Sequence, residues 1–198
     1  MNPLTVLPNE IIAPRGPVSE VFLDMGVQEF AAACHYVHQL PYGYNSNRDD
    51  LMVIFKEKKG SCATKHAVIA TLARESGLPV TKSIGIYRMT EALVTGTQKI
   101  LIRYNLPHLP MLHCFLEYDG YRVDLTEGNR NGKNGPIDEI LFSTGVIPHI
   151  SEKEEYRLYR QALKDRILAR EEMQAVDLKA VLHAREEGLQ LLKSKISV

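Results

Sequence analysis

The chain has 198 residues, 44% apolar and 24% charged, which suits one domain with a real core and a soluble surface. Lysine plus arginine balance aspartate plus glutamate at 24 each, so the net charge of zero gives no global pull toward nucleic acid or an anionic membrane. Three cysteines leave a remainder in any disulfide framework and match no zinc ribbon or finger, which points to a reducing cytoplasm.

Residues 1–17 hold four of the ten prolines and read as an extended lead-in along the domain surface. They lack a basic region followed by an apolar stretch, so no secretory signal is expected, and no apolar run in the chain reaches transmembrane length. From Val18 to Leu40 apolar residues recur at helical spacing, with Gly26 splitting the stretch in two and Pro41 ending it. A polar loop with aromatic residues, Tyr42 to Asn47, follows. Asp49 and Asp50 cap a short helix over Leu51–Phe55. A third helix runs from Ser61 to Ser76 and stops at Gly77-Leu78-Pro79.

The period then changes. Val80–Tyr87, Lys99–Tyr104, Leu112–Tyr118 and Tyr121–Leu125 are predicted strands, the last two joined by the hairpin signal Asp119-Gly120. Residues 128–136 form a glycine- and asparagine-rich loop, and Ile137–Phe142 is expected to add one or two helical turns. From Ser151 onward the chain reads as helix, opened by a Ser151/Glu154 capping box. Tyr156, Tyr159, Leu163 and Ile167 make one apolar stripe. Leu178, Leu182, Leu189, Leu192 and Ile196 make a second, with Arg185 in its seam. The preferred reading is a helical hairpin packed on its own domain; the alternative is a homodimer contact through these helices. The expected fold is α+β, with the helix of Cys62 packed on an antiparallel sheet over residues 1–150 and a helical extension at 151–198.

Chemistry is expected at the helix that starts with Cys62. Ser61 is a good N-cap, so Cys62 falls in the first turn, where unpaired N–H groups and the helix dipole favour a thiolate. That turn holds no acidic side chain, and Lys56, Lys58, Lys59 and Lys65 lie nearby in sequence against Glu57. Gly60 leaves room for a substrate backbone to approach. With Asp119-Gly120 as the turn, Glu117 faces Arg122 and Leu116 faces Val123. His113 and Asp124 then become diagonal neighbours on one face, at a distance that suits an imidazole N–H bonded to a carboxylate.

On these residues the chain resembles the transglutaminase-like superfamily of papain-type thiol enzymes. Gly60-Ser61-Cys62 leading into Ala67–Val80 is similar to that family's nucleophile helix and its glycine turn into the first strand. His113 through Thr126 is similar to its histidine, hairpin and aspartate. The resemblance covers roughly residues 40–130 by motif. It implies Cys62 as nucleophile, His113 as base and Asp124 as orienting acid, with Tyr42, Tyr44 or Asn45 as candidates to complete an oxyanion hole. Cys114-Phe115 stands where the family has an aromatic residue after its histidine, the hairpin is short, and no acidic cluster matches a calcium site.

The function expected is thiol-dependent acyl transfer or amide hydrolysis on a protein, peptide or small amide, with no cofactor, metal, nucleic acid or membrane. Arylamine acetyl transfer uses the same trio of residue types, but the glycine-rich approach to the cysteine is missing. The rival from another class is a catalytically silent scaffold that binds a protein partner. Metal binding by Cys62 with His66, or by His35 with His38, rests only on helix spacing. The 128–135 loop is a candidate lid.

Overall fold

The computed structural model describes residues 3–196. It is an α+β protein with a four-stranded antiparallel sheet in the order β3-β2-β1-β4. The strands are β1 (Thr81–Met89), β2 (Leu109–Tyr118), β3 (Tyr121–Val123) and β4 (Ile140–Val146). Before them come α1 (Pro17–Asp24), α2 (Phe30–Gln39), α3 (Val53–Glu57) and α4 (Cys62–Ser76). α5 (Thr97–Tyr104) lies between β1 and β2, and α6 (Glu152–Ala162) and α7 (Leu178–Lys195) follow β4. Among the described residues no helix is long and apolar enough to cross a membrane.

Two compact units divide the chain. The first comprises Met1–Ile84, Cys114–Asn129 and Gly145–Ser151; the second comprises Gly85–His113, Arg130–Thr144 and Glu152–Val198. The C-terminal helices therefore belong to the same unit as the middle of the chain.

In the first unit α4 is the central element. Ser61 caps it, Gly77 ends it in the left-handed region at φ 71°, and every residue from Ala63 to Ala73 is buried. A helix apolar enough on all sides can be packed all round, and α1, α2 and α3 all contact this one. Val68, Ile69, Leu72 and Ala73 share a core with Leu116, Val123 and Leu125 of the hairpin. Glu75, near the end of α4, accepts hydrogen bonds from the N–H groups of Val18 and Ser19 and so caps α1. The predicted division of the first helical stretch holds, with Gly26 at φ 78° between α1 and α2.

The second unit has its own core, which includes Tyr87, Met89, Leu109, Met111, Tyr159, Leu163 and Val181. Two expectations are corrected here. Lys99–Tyr104 is helix rather than strand. A strand would put Ile100, Ile102 and Tyr104 on one face, but Ile102 is 71% exposed while Ile100 and Leu101 are buried. The Glu91 carboxylate fixes the helix start by accepting from the N–H groups of Gly96 and Gln98. Ile137–Phe142 is not helical; strand β4 begins at Ile140, and its burial alternates from Phe142 to Val146. The β-branched and aromatic residues Ile140, Phe142, Thr144 and Val146 favour that state.

The second C-terminal stripe is rotated from its expected position. Val181, Ala184, Gly188 and Leu192 are the buried residues of α7, and Leu178, Leu182 and Leu189 flank them. Arg185 lies 5.2 Å from the ring centres of both Tyr156 and Tyr159. A Cβ at Gly188 would come 2.7 Å from Leu109 Cδ2. Gly188→Val is therefore expected to cost about 2 kcal/mol or more through overpacking. Urea unfolding checks this, and an unchanged midpoint would count against the packing described.

His108, also in this unit, is 2% exposed and its Nε2 has no hydrogen-bond partner. Burial pushes its pKa down to about 4, and the positive charge of Arg88 adds to the effect. Between pH 4 and 6.5 the unfolded chain therefore binds the proton that the folded chain rejects, so stability rises with pH across that window. As pH falls through it, the native chain should lose about 2 kcal/mol more than His108→Phe, a figure discounted for nearby solvent. Parallel acid unfolding curves for the two proteins would refute this.

Candidate active site

Cys62 occupies the first position of α4, after its Ser61 cap. The cap is reinforced by the Thr64 hydroxyl, which accepts from the Ser61 N–H at 3.0 Å and donates to Asn45 Oδ1 at 2.8 Å. All three cysteines are free thiols. Cys34 and Cys114 are buried, and burial pushes the Cys34 thiol well above its ordinary pKa. Cys62 alone of the three is partly exposed.

Two of the lysines expected to supply a positive field stand beside carboxylates. Lys56 pairs with Asp50, and Lys59 lies 4.0 Å from Glu57. The buried lysine of α4 is Lys65. Its ammonium donates to the carbonyls of His38 (3.1 Å) and Leu40, and to Asn129 Oδ1 (2.6 Å). Burial lowers its pKa to about 7, opposed by the charge of Asp124. Gly60 is buried, and a Cβ there would come 3.0 Å from both Lys65 Cγ and Thr64 Oγ1. The missing side chain makes room for these residues, where open space for a substrate backbone was expected.

The hairpin has the predicted register, with Leu116 opposite Val123, Glu117 opposite Arg122 and Tyr118 opposite Tyr121. Asp119 and Gly120 both take positive φ, at 49° and 77°, as a tight hairpin turn requires. The Arg122 guanidinium lies over the Phe115 ring, 5.8 Å from its centre.

Strand β3 ends at Val123, before the predicted Leu125. Side chains replace the ladder beyond that point. Asp124 Oδ1 accepts from the N–H and the hydroxyl of Thr126, at 2.8 and 2.7 Å. The Leu125 N–H donates to His66 Nε2 at 2.8 Å, and the Leu125 carbonyl accepts from His38 Nδ1 at 3.2 Å. Asp124 thus sits on a turn.

His66 ties that turn to the cysteine. Its ring is fully buried, and Nδ1 lies 2.7 Å from the Cys62 carbonyl. Because Nε2 accepts from Leu125, the proton belongs on Nδ1, which donates to Cys62; the ring is neutral. Nε2 is also 3.6 Å from Asp124 Oδ1. One imidazole therefore spans from the backbone of Cys62 to the residue after Asp124. A histidine four places after a first-turn residue is the only sequence signal for this strut.

In the first unit the structure thus joins Cys62 and Asp124 through His66. The loop of Tyr42, Tyr44 and Asn45 lies in the same unit. Tyr42 is buried, bridges to Gly60 and meets Tyr44 edge to face at 6.1 Å. The Asn45 amide donates to Glu57 Oε2 and to the Lys59 carbonyl, so it braces the loop. Glu57 also accepts from the hydroxyl and N–H of Ser46, which hold its carboxyl below the ordinary range.

His113 belongs to the second unit, at the last residue before the division in β2. It is buried, and its ring meets Tyr87 edge to face at 6.2 Å. The Lys133 ammonium stands 5.9 Å from the Tyr87 ring centre. Among the described residues no group of three His, Cys, Asp or Glu side chains is placed to hold a metal ion. Comparison with protein-family models, with curated proteins and with solved structures finds no match to this chain.

Proposed function

We propose that this chain is a thiol-dependent acyltransferase or amide hydrolase of the transglutaminase-like type. Cys62 attacks the carbonyl of a protein, peptide or small amide, and the amine leaves with a proton from His113. The thioester on Cys62 is then opened by water or a second amine, whose proton returns to His113. Asp124 orients the imidazole and favours its charged form. Free thiols suit the reducing cytoplasm in which such an enzyme would work.

The observation that carries the reading is the contrast among the three thiols. Two are sealed in the core; the third stands partly exposed at the head of a capped, fully packed helix. A covalent intermediate tests the proposal. The chain is mixed with an activated acyl ester, quenched within seconds and digested for mass spectrometry. An acyl group on the Cys62 peptide that disappears when water or amine is allowed to act supports it. An unmodified Cys62 with turnover intact would overturn it.

The second reading is a silent scaffold of the same type that binds a protein partner. It is favoured by the Asn45 amide, which already donates to Glu57 of α3 and to the Lys59 carbonyl. A chain that neither turns over nor acylates at Cys62 decides for it.

A further inference from the structure

His113, Tyr87 and Lys133 all belong to the second unit. Tyr87 on β1 and His113 on β2 stand on neighbouring strands, and both are buried, at 1% and 3% exposure. Their rings meet edge to face, at 84° with centres 6.2 Å apart, the arrangement that the charge distribution of aromatic rings favours. A directional contact of this kind resists rotation of the imidazole as well as filling space. A second contact bears on the same phenol ring. The Lys133 ammonium lies over it, 5.9 Å from the ring centre, within reach of its negative face.

The backbone that carries Lys133 is fastened on both sides. Asn131 is buried, and a Cβ at Gly132, where φ is 84°, would come 3.1 Å from the Leu192 carbonyl of α7. Asn134 donates its backbone N–H to the Leu93 carbonyl at 2.8 Å, and its side-chain amide to the Ala92 carbonyl and to Thr95 Oγ1. The segment expected as a lid thus holds to its own unit and delivers an ammonium to a set place.

We propose that Tyr87 is the positioning residue of His113, and that Lys133 locks Tyr87 in that role. The inference rests on the reading of His113 as the base. Neither Tyr87 nor Lys133 exchanges a proton in the reaction. Their stack fixes the direction in which the imidazole faces, and a base works only from the right direction.

The test is steady-state hydrolysis of p-nitrophenyl acetate, together with carbon–proton NMR of the His113 ring. Lys133→Met keeps the stem of the side chain and removes the charge. It should lower kcat about two- to fivefold, leave KM within about twofold, and shift or broaden the His113 ring signals. Lys133→Arg keeps a cation over the ring and should restore both readouts. Tyr87→Leu removes the ring and should lower kcat about tenfold at the same KM. Unchanged kcat with unchanged His113 signals in Lys133→Met overturns the proposal, as does a loss carried by KM alone. Should Tyr87→Leu fail to fold, the two Lys133 variants carry the test by themselves. A native chain without turnover overturns the thiol reading. The His113 signals then decide the stack, and identical signals in the native and Lys133→Met chains overturn it.

Discussion

Cys62→Ala is expected to lower turnover of an acyl or amide substrate by about a thousandfold or more, because it deletes the nucleophile of a covalent mechanism. Cys34→Ala and Cys114→Ala remove small buried groups, so they should act on stability and leave kcat/KM close to the native value. Steady-state kinetics on the three single variants checks this. Equal losses from all three, or activity retained in Cys62→Ala, would contradict the assignment. The comparison is informative because the thiols share a chain and differ mainly in where they stand.

Lys65→Met is expected to produce the largest loss of stability, about 3–5 kcal/mol. Methionine matches the length and bulk of the stem, so the loss measures hydrogen bonds and charge more than volume. It strips the donor from two backbone carbonyls and from Asn129, and leaves Asp124 without its nearby cation. Those acceptors join the end of α2, the approach to the candidate oxyanion loop and the segment after the Asp124 turn. The variant should therefore also slow the thiol chemistry beyond what partial unfolding explains. Urea denaturation gives the first quantity, and a midpoint within about 1 kcal/mol of the native stability would refute it.

Much of the first unit could be read from local signals. Ser61 and Gly77 bound α4, Gly26 separates α1 from α2, and Asp119-Gly120 sets a hairpin whose three ladder pairs fall as the alternation predicts. Such features depend on residues close together in the chain, where capping and turn chemistry decide the outcome. Lys99–Tyr104 reads as strand in the sequence because it holds β-branched residues and its helix cap comes from Glu91, several residues upstream. The end of β3 is not legible in the sequence because the partners of Leu125 are histidines from α2 and α4. Hydrogen bonds from side chains distant in sequence leave no periodic trace.

The candidate site divides in the same way. Cys62 and Asp124 could be nominated from residue type and position. Lys65 and His66 enter the sequence reading only as a nearby charge and a metal candidate, because lysine and histidine on a helix ordinarily read as solvated. Only burial and the identity of their partners set them apart.

The reading stands or falls on a proton shared between sulfur and imidazole. NMR titration of the His113 ring, with Cys62 free and then capped by a neutral alkyl group, addresses this directly. A thiolate partner favours the charged imidazole, so capping Cys62 should lower the midpoint of the ring. Midpoints that coincide in the free and capped proteins would contradict the account.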